Sequence, residues 1–214
     1  MPSITRKAES TRTRRRAEIE RQLLAATESL MADGFAFTEL SVDRLATAAG
    51  ISRATFYIYF EDKRQLLLQL THQVFTGLSE AAGLWWDKAE RRNPDDARRA
   101  IREIIATYRR HQAVITAVIE MATYDSTVAG AYHDVMTGIA EKGEQAFERA
   151  VAAGVAPPGP GGAIASALTW MVERVCDQMV RHADPSTDDR LAEMLTEIVW
   201  RAWYLQSAVT ESGG

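Results

Sequence analysis

Ser52, Arg53, Ala54, Thr55 and Tyr57 fall within six consecutive positions, just after Gly50. A helix that opens here, with Ser52 as its N-cap, gathers free first-turn amides, two hydroxyls and a guanidinium in one place. Amides, hydroxyls and guanidinium groups at a helix start suit phosphate oxygens and base edges. Catalytic chemistry finds no comparable set. His72, His111, His133 and His182 are scattered, without a His-x-x-x-His pair, and Cys176 is the only cysteine. A transition-metal site therefore has no ligand cluster to build on. Cys176 lies near an apolar stripe and reads as an inert core thiol. The dipeptide His133-Asp134 sits in a long amphipathic pattern and reads as a surface feature. No Gly-rich phosphate loop and no serine in a nucleophile-elbow setting occurs. The expectation is no catalytic residue, no metal, no cofactor and no enzyme activity.

The elements that must position the Ser52 group are two short helices and a tight turn, Ser41 to Lys63. Leu45 and Ala49 are apolar, and Ala46 is small enough for the second helix to cross closely. Gly50 stands where the chain turns, and a residue without Cβ accepts positive φ at little cost. Ile51, Phe56 and Tyr59 can fill the angle between the helices. Arg53, Ala54, Thr55, Tyr57 and Ile58 are left for the outward side of the second helix. The alternative is a helical hairpin that binds nothing. Such a hairpin does not need Arg and Thr opening its second helix, nor an exposed Tyr.

Charge is distributed in keeping with a local polyanion partner. The chain of 214 residues carries a net −4, yet residues 1–16 hold +5 and the remainder −9. A basic arm beside a reading head, on an otherwise acidic body, gives this asymmetry. A lone cysteine fits a reducing compartment. The N-terminus lacks an uninterrupted apolar run of the signal-peptide kind. No stretch approaches the ~20 apolar residues of a membrane span. A cytoplasmic protein without membrane contact is expected.

Apolar residues recur at helical spacing throughout, and no run alternates at period two, so an all-α fold of about nine helices is predicted. Residues 1–13 read as a basic flexible arm and 14–61 as a three-helix head. Residues 62–208 form a larger helical domain, followed by a tail at 209–214. Ile19, Leu23, Ala26 and Leu30 stripe the first helix, and Phe35 and Phe37 are expected to pack back after Asp33-Gly34. A long helix runs from Asp62 to Trp86. Pro94 opens the next helix, which breaks near His111. Val128 to Val151 follows. Residues 154–162, with three prolines and four glycines, form a loop. Two further helices, about Ile164 to Arg181 and Leu191 to Leu205, complete the chain.

At GISRATFYIYFEDK and the following RQLLLQL, the chain resembles the TetR family of one-component bacterial repressors. Within that family it is most similar to the group of the ethionamide-regulatory repressor, through VDRLATAAGISRATFYIYF, YRRHQAVI and VER. The resemblance implies double-stranded operator DNA as partner, read by a homodimer. Arg53 and Ala54 fall where family members touch base edges, with Arg able to contact guanine in bidentate fashion. Thr55 and Tyr57 fall where the family uses hydroxyls on phosphate or base, and Ser52 stands beside them as the N-cap. Tyr59 is another contact position, but a ring packed on the first helix is an equal reading. Lys63 falls where the family uses a lysine on backbone phosphate. Arg44 could do the same, though it reads first as a solvated surface arginine.

The resemblance also implies a small-molecule cavity in the middle helices. Trp85, Tyr108, Met121, Tyr124, Trp170 and Glu173 are the candidates for its lining, and a small hydrophobic effector is the expected occupant. Most large apolar residues of such a bundle fill core in any case. Two asparagines of the ethionamide-repressor pocket correspond to Thr169 and Val172, so an identical ligand preference is not expected. The last two helices are expected to form a two-fold interface, with Trp170, Trp200 and Trp203 available as anchors. The leading reading is a ligand-released transcriptional repressor. The alternative is a helical hydrophobic-ligand-binding protein without repressor activity.

Overall fold

The computed structural model describes residues 4–205, with side chains described from residue 13 onward. Among the described residues there are nine α-helices and no strand. They are α1 Ile4–Ala32, α2 Val42–Ala48, α3 Arg53–Tyr59, α4 Lys63–Trp86, α5 Pro94–Arg110, α6 Gln112–Ala122, α7 Ser126–Ala152, α8 Gly161–Val175 and α9 Asp188–Tyr204. A single π-helical turn, Cys176–Val180, continues α8. The expected tail, 209–214, lies outside the described residues. Of the expected arm, residues 1–3 also lie outside them. From Ile4 the backbone is already helical, upstream of the apolar stripe that begins with Ile19.

The helix ends are dictated locally. Ser41 Oγ accepts from the Arg44 amide at 3.2 Å, and Ser52 Oγ accepts from the Thr55 amide at 3.0 Å. Each bond satisfies one of the amides that a helix start leaves without an intrahelical acceptor. Gly50 adopts φ +68°, the left-handed region that the turn between α2 and α3 requires. Pro94 occupies the first position of α5, where its missing N–H costs nothing.

Two compact units divide the chain. One holds the chain to Val74 together with His111–Tyr132, and the other holds Phe75–Arg110 and the chain from His133. In the first, Ile19, Leu23, Phe37, Leu40, Leu45, Phe56 and Phe60 are buried in the core of the head. Here α6 packs on α1, burying Val114, Ile115 and Val118. Near this contact His111 Nδ1 meets Glu28 Oε1 at 2.6 Å. The compact unit around the head therefore takes in more chain than the sequence pattern of residues 14–61 indicates. Phe35 and Phe37 part company: Phe37 is buried, whereas Phe35 is exposed with the Arg44 guanidinium 4.3 Å from its ring centroid.

In the second unit α5 lies along α9, and α8 packs on α9. Arg109 donates to both carboxylate oxygens of Asp188, at 2.8 and 2.6 Å. That pairing holds the guanidinium above its usual pKa range. Gly161, the first residue of α8, faces the ring of Phe147. A Cβ placed there would lie 1.7 Å from Phe147 Cε1 and 2.1 Å from Cζ. The ring cannot retreat freely, because it stands edge-on to buried Trp203 with centroids 5.4 Å apart. Gly161→Ala is expected to cost roughly 1–3 kcal/mol by overpacking, read as a lower midpoint in urea unfolding. A midpoint equal to wild type would contradict this account of the α7–α8 contact.

A recognition-helix surface and an apolar cavity

On α3 the buried side is carried by Phe56, which is sealed from solvent, with Phe60 just past the helix end. Their rings lie 5.4 Å apart. Burying this side turns Arg53, Ala54, Tyr57 and Ile58 outward. Ile58 is 72% exposed and Tyr57 47% exposed. The Arg53 guanidinium lies 5.5 Å from the Tyr57 ring centroid and donates to Asp43 Oδ2 at 2.9 Å. Asp43 on α2 thus presets an arginine that stays open to solvent. Ile58 has no place in a contact list based on hydrogen-bonding side chains. Its exposure leaves an apolar side chain on the outward side of α3.

The other expected contact residues are less free. Thr55 is half-buried, and its hydroxyl lies 2.8 Å from that of Ser52. Tyr59 is half-buried at the last position of α3. Arg44 is exposed over Phe35. Lys63 is directed inward to the chain: its ammonium donates to the carbonyls of Phe37, Thr38 and Leu40, the last at 3.2 Å. Burial holds its pKa below the usual lysine range. Three carbonyl acceptors match the three donors of an ammonium group. Lys63 therefore pins the turn after α1 to the start of α4, and any phosphate would have to share it with these carbonyls.

The second unit holds a half-open apolar cavity of about 70 Å³. Its walls come from α4 (Phe75, Leu78, Ala82, Trp85, Trp86), α5 (Ile101, Ile104, Tyr108), α7 (Met136, Ile139), α8 (Leu168, Thr169, Val172, Glu173) and α9 (Val199, Trp203), with Cys176 just beyond α8. Of the six lining residues expected from sequence, Trp85, Tyr108 and Glu173 meet around this space. The remaining three, Met121, Tyr124 and Trp170, do not line it. Met121 and Tyr124 belong to the other unit, Met121 buried and Tyr124 64% exposed. Trp170 lies one position past Thr169 and stacks on His133, with centroids 5.7 Å apart. A helical stripe fixes which residues share a side, but a one-residue step turns a side chain by ~100° and changes its neighbours.

Polar atoms at the cavity are few. The Tyr108 hydroxyl donates to Asp177 Oδ1 at 3.2 Å. Burial, with the negative charges of Asp177 and Glu173, raises the phenol's pKa far above its usual range, so it stays a donor. Burial also pushes the Cys176 thiol up to about 12, which keeps it protonated and unreactive. Thr169 Oγ1 is committed to the Ala165 carbonyl at 3.0 Å. Trp85 Nε1 donates to the Tyr204 hydroxyl at 3.3 Å, which in turn donates to the Ala89 carbonyl. Trp203 differs: it is 1% exposed, and among the described residues its Nε1 has no acceptor.

A helix-turn-helix head with its second helix turned outward, and a helical unit with an apolar cavity, define the architecture of helical regulatory proteins. Comparison with known proteins agrees. Residues 23–70 match the family described as bacterial regulatory proteins, tetR family, and residues 97–205 match the C-terminal domain of transcriptional regulator EthR. The chain belongs to the TetR family and carries a C-terminal domain of the EthR type. The HTH-type transcriptional regulator EthR of Mycolicibacterium smegmatis is 40% identical over 89 residues, 42% of this chain. The matched stretch spans 39% of that relative's length. A TetR-family regulator from Mesorhizobium loti shares the fold at a TM-score of 0.66 and 19% identity, covering 89% of this chain and 98% of the other. The regulator FadR of Bacillus subtilis, solved in complex with stearoyl-CoA, does so at 0.64 and 14%, covering 85% and 98%.

Among the described residues, no helix is long and apolar enough to cross a membrane. Nor do these residues bring three His, Cys, Asp or Glu together in a way that could hold a metal ion.

Proposed function

We propose that this chain is a sequence-specific DNA-binding transcriptional regulator, a repressor released by a small apolar effector, and not an enzyme. The observation that carries the reading is the outward set Arg53, Ala54, Tyr57 and Ile58 on α3. A helix that only packed would not hold a tyrosine and an isoleucine in water beside a preset arginine. A seven-residue helix is ~10 Å long and suits end-on entry into a major groove ~12 Å wide. Ser52, Thr55 and Arg44 flank that entry and serve backbone phosphate, with Tyr59 at its far edge. Lys63 acts mainly by holding the turn behind it.

The effector site in this reading is the cavity. The same helix, α4, carries Lys63 at its start and Trp85 near its end. Effector and operator then draw on one conformational equilibrium, and each weakens the other by the same coupling free energy. Incubation with genomic fragments, followed by gel shift with and without effector, tests this reading. Absence of any retained fragment would favour the helical ligand-binding protein without repressor activity.

Operator reading requires two heads, and we assign the pairing surface to α8 and α9. Met194 and Ile198 project from α9, Leu205 is exposed just past its end, and Met179 lies exposed in the π turn. A spacing of four puts Met194 and Ile198 on one stripe. Trp203, expected as an anchor, is instead buried in its own unit. Trp200 is half-buried, its ring centroid 4.3 Å from that of Tyr204. Light scattering is expected to give twice the 23.8 kDa chain mass. Ile198→Glu would bury a charge in that interface, and the variant is expected to run as a monomer at micromolar concentration. A wild-type monomer, or an unaffected variant dimer, would remove this surface from consideration.

A further inference from the structure

Two tryptophans of the cavity wall carry indole donors with different fates. Trp85 Nε1 donates to the Tyr204 hydroxyl at 3.3 Å. Trp203 lines the same space and is sealed from solvent, yet its Nε1 meets no acceptor among the described residues. Buried tryptophan N–H groups normally find an acceptor, and buried polar atoms are almost always paired. The ring is not free to swing toward one. It packs on Trp85 and on Phe147, whose ring centroids lie 4.5 and 5.4 Å from its own.

The rest of the wall says what kind of acceptor fits. Most of it is carbon, and its other polar side chains are already engaged. The Tyr108 hydroxyl donates to Asp177, Thr169 Oγ1 donates to the Ala165 carbonyl, and Glu173 is not free either. A water molecule needs about two to four polar partners and suits such a place poorly. A single oxygen on an apolar skeleton suits it well, since it accepts one hydrogen bond and brings no donor of its own. A charged group would have to shed its water against these walls, a cost that one N–H does not offset.

Resting on the reading of this cavity as the effector site, we infer that its ligands are neutral apolar molecules with a lone acceptor, a ketone, ester or ether oxygen, and that Trp203 Nε1 is the donor that fixes their position. Plain hydrocarbons leave the N–H unpaired and are selected against. The space of about 70 Å³ confines the deeply held part, the oxygen and its neighbours, to a few atoms. Because the cavity is half-open, the remainder of a longer chain extends out of it.

The test uses the full-length chain and Trp203→Phe, which keeps an aromatic ring and removes the N–H. Both are titrated with octane, octanol and methyl hexyl ketone, and affinities are read from the rise in melting temperature. Comparing ratios between the two proteins cancels the hydration of each probe. The ketone-to-octane affinity ratio is expected to fall about tenfold in the variant, and the octanol-to-octane ratio by less. Infrared spectroscopy adds a readout that needs no variant: the carbonyl stretch of the ketone bound to wild type is expected below its frequency in octane. A stretch at the octane value would overturn the inference, and so would a ketone-to-octane ratio equal in the two proteins. In either case probe binding would leave the effector-site reading standing. If none of the three bound while DNA binding remained intact, the effector-site reading itself would fall, and this inference with it.

Discussion

Arg53→Ala is expected to reduce operator affinity at least 30-fold at fixed salt while leaving the melting temperature nearly unchanged. One good bidentate base contact is worth about 1–3 kcal/mol of discrimination, and a dimer makes the contact in both half-sites. With 1.4 kcal/mol per factor of ten, even the lower figure taken twice gives roughly a 30-fold loss. Stability should hardly respond, because the Arg53–Asp43 pair is exposed on both sides and exposed pairs contribute about 0–1 kcal/mol. Tyr57→Phe removes only a hydroxyl from a side chain already half in solvent, so its loss should be smaller and in the same direction. Fluorescence anisotropy with a labelled operator fragment measures both variants. A contact to a base should also relax sequence preference, whereas a phosphate contact should weaken all sequences alike and flatten the salt dependence. Affinity unchanged in both variants, with intact melting, would mean that α3 does not enter the groove.

The parts of this site that follow from local chemistry were legible in the sequence. Ser41 and Ser52 precede helices because a side-chain oxygen satisfies an otherwise open amide. Gly50 turns because no other residue type accepts its φ so cheaply, and Pro94 starts a helix where its N–H would be idle. The outward set on α3 follows from the burial of Phe56. Long-range neighbours were not legible. Phe35 and Phe37 look alike in sequence, yet only one is buried. Whether a bulky residue lines a cavity depends on which helix it faces, so Trp203 lines the space and Trp170 does not, and Tyr124 is exposed. Lys63 reads as a phosphate ligand until the three carbonyls around its ammonium are seen. Each of these depends on contacts between residues distant in sequence, which periodicity does not encode.

Asp177→Ala should be strongly destabilising, and nothing in its sequence neighbourhood announces this. In the run ERVCDQM it resembles a surface aspartate, with Arg174 three positions before it and a glutamine next to it. The π turn Cys176–Val180 instead places it among the buried residues, at 2% exposure. There it accepts from the Tyr108 hydroxyl at 3.2 Å, from Gln178 Nε2 at 2.7 Å and from Arg174 at 3.2 Å. Such π turns add one residue per turn and re-aim side chains, a device often found at functional sites. Truncation to alanine would strand the Tyr108 hydroxyl without this acceptor and take one carboxylate away from Arg174 and Arg181. Breaking a buried pair costs about 3–5 kcal/mol, and rehydration of the exposed Arg174 argues for the lower end. For a chain of this size ~3 kcal/mol lowers the melting temperature by roughly 6–12 °C. Asp177→Asn keeps an acceptor for Tyr108 and loses the charge, so it should fall between the alanine variant and wild type. Tyr108 lines the cavity, so the alanine variant should also bind octanol less tightly while the asparagine variant largely retains it. Calorimetric melting of the three proteins, with octanol titrations alongside, separates these effects. An alanine variant that melts with wild type would show that Asp177 does not hold Tyr108 in place. The polar edge of the cavity would then have to be set by Glu173 and Trp203 alone.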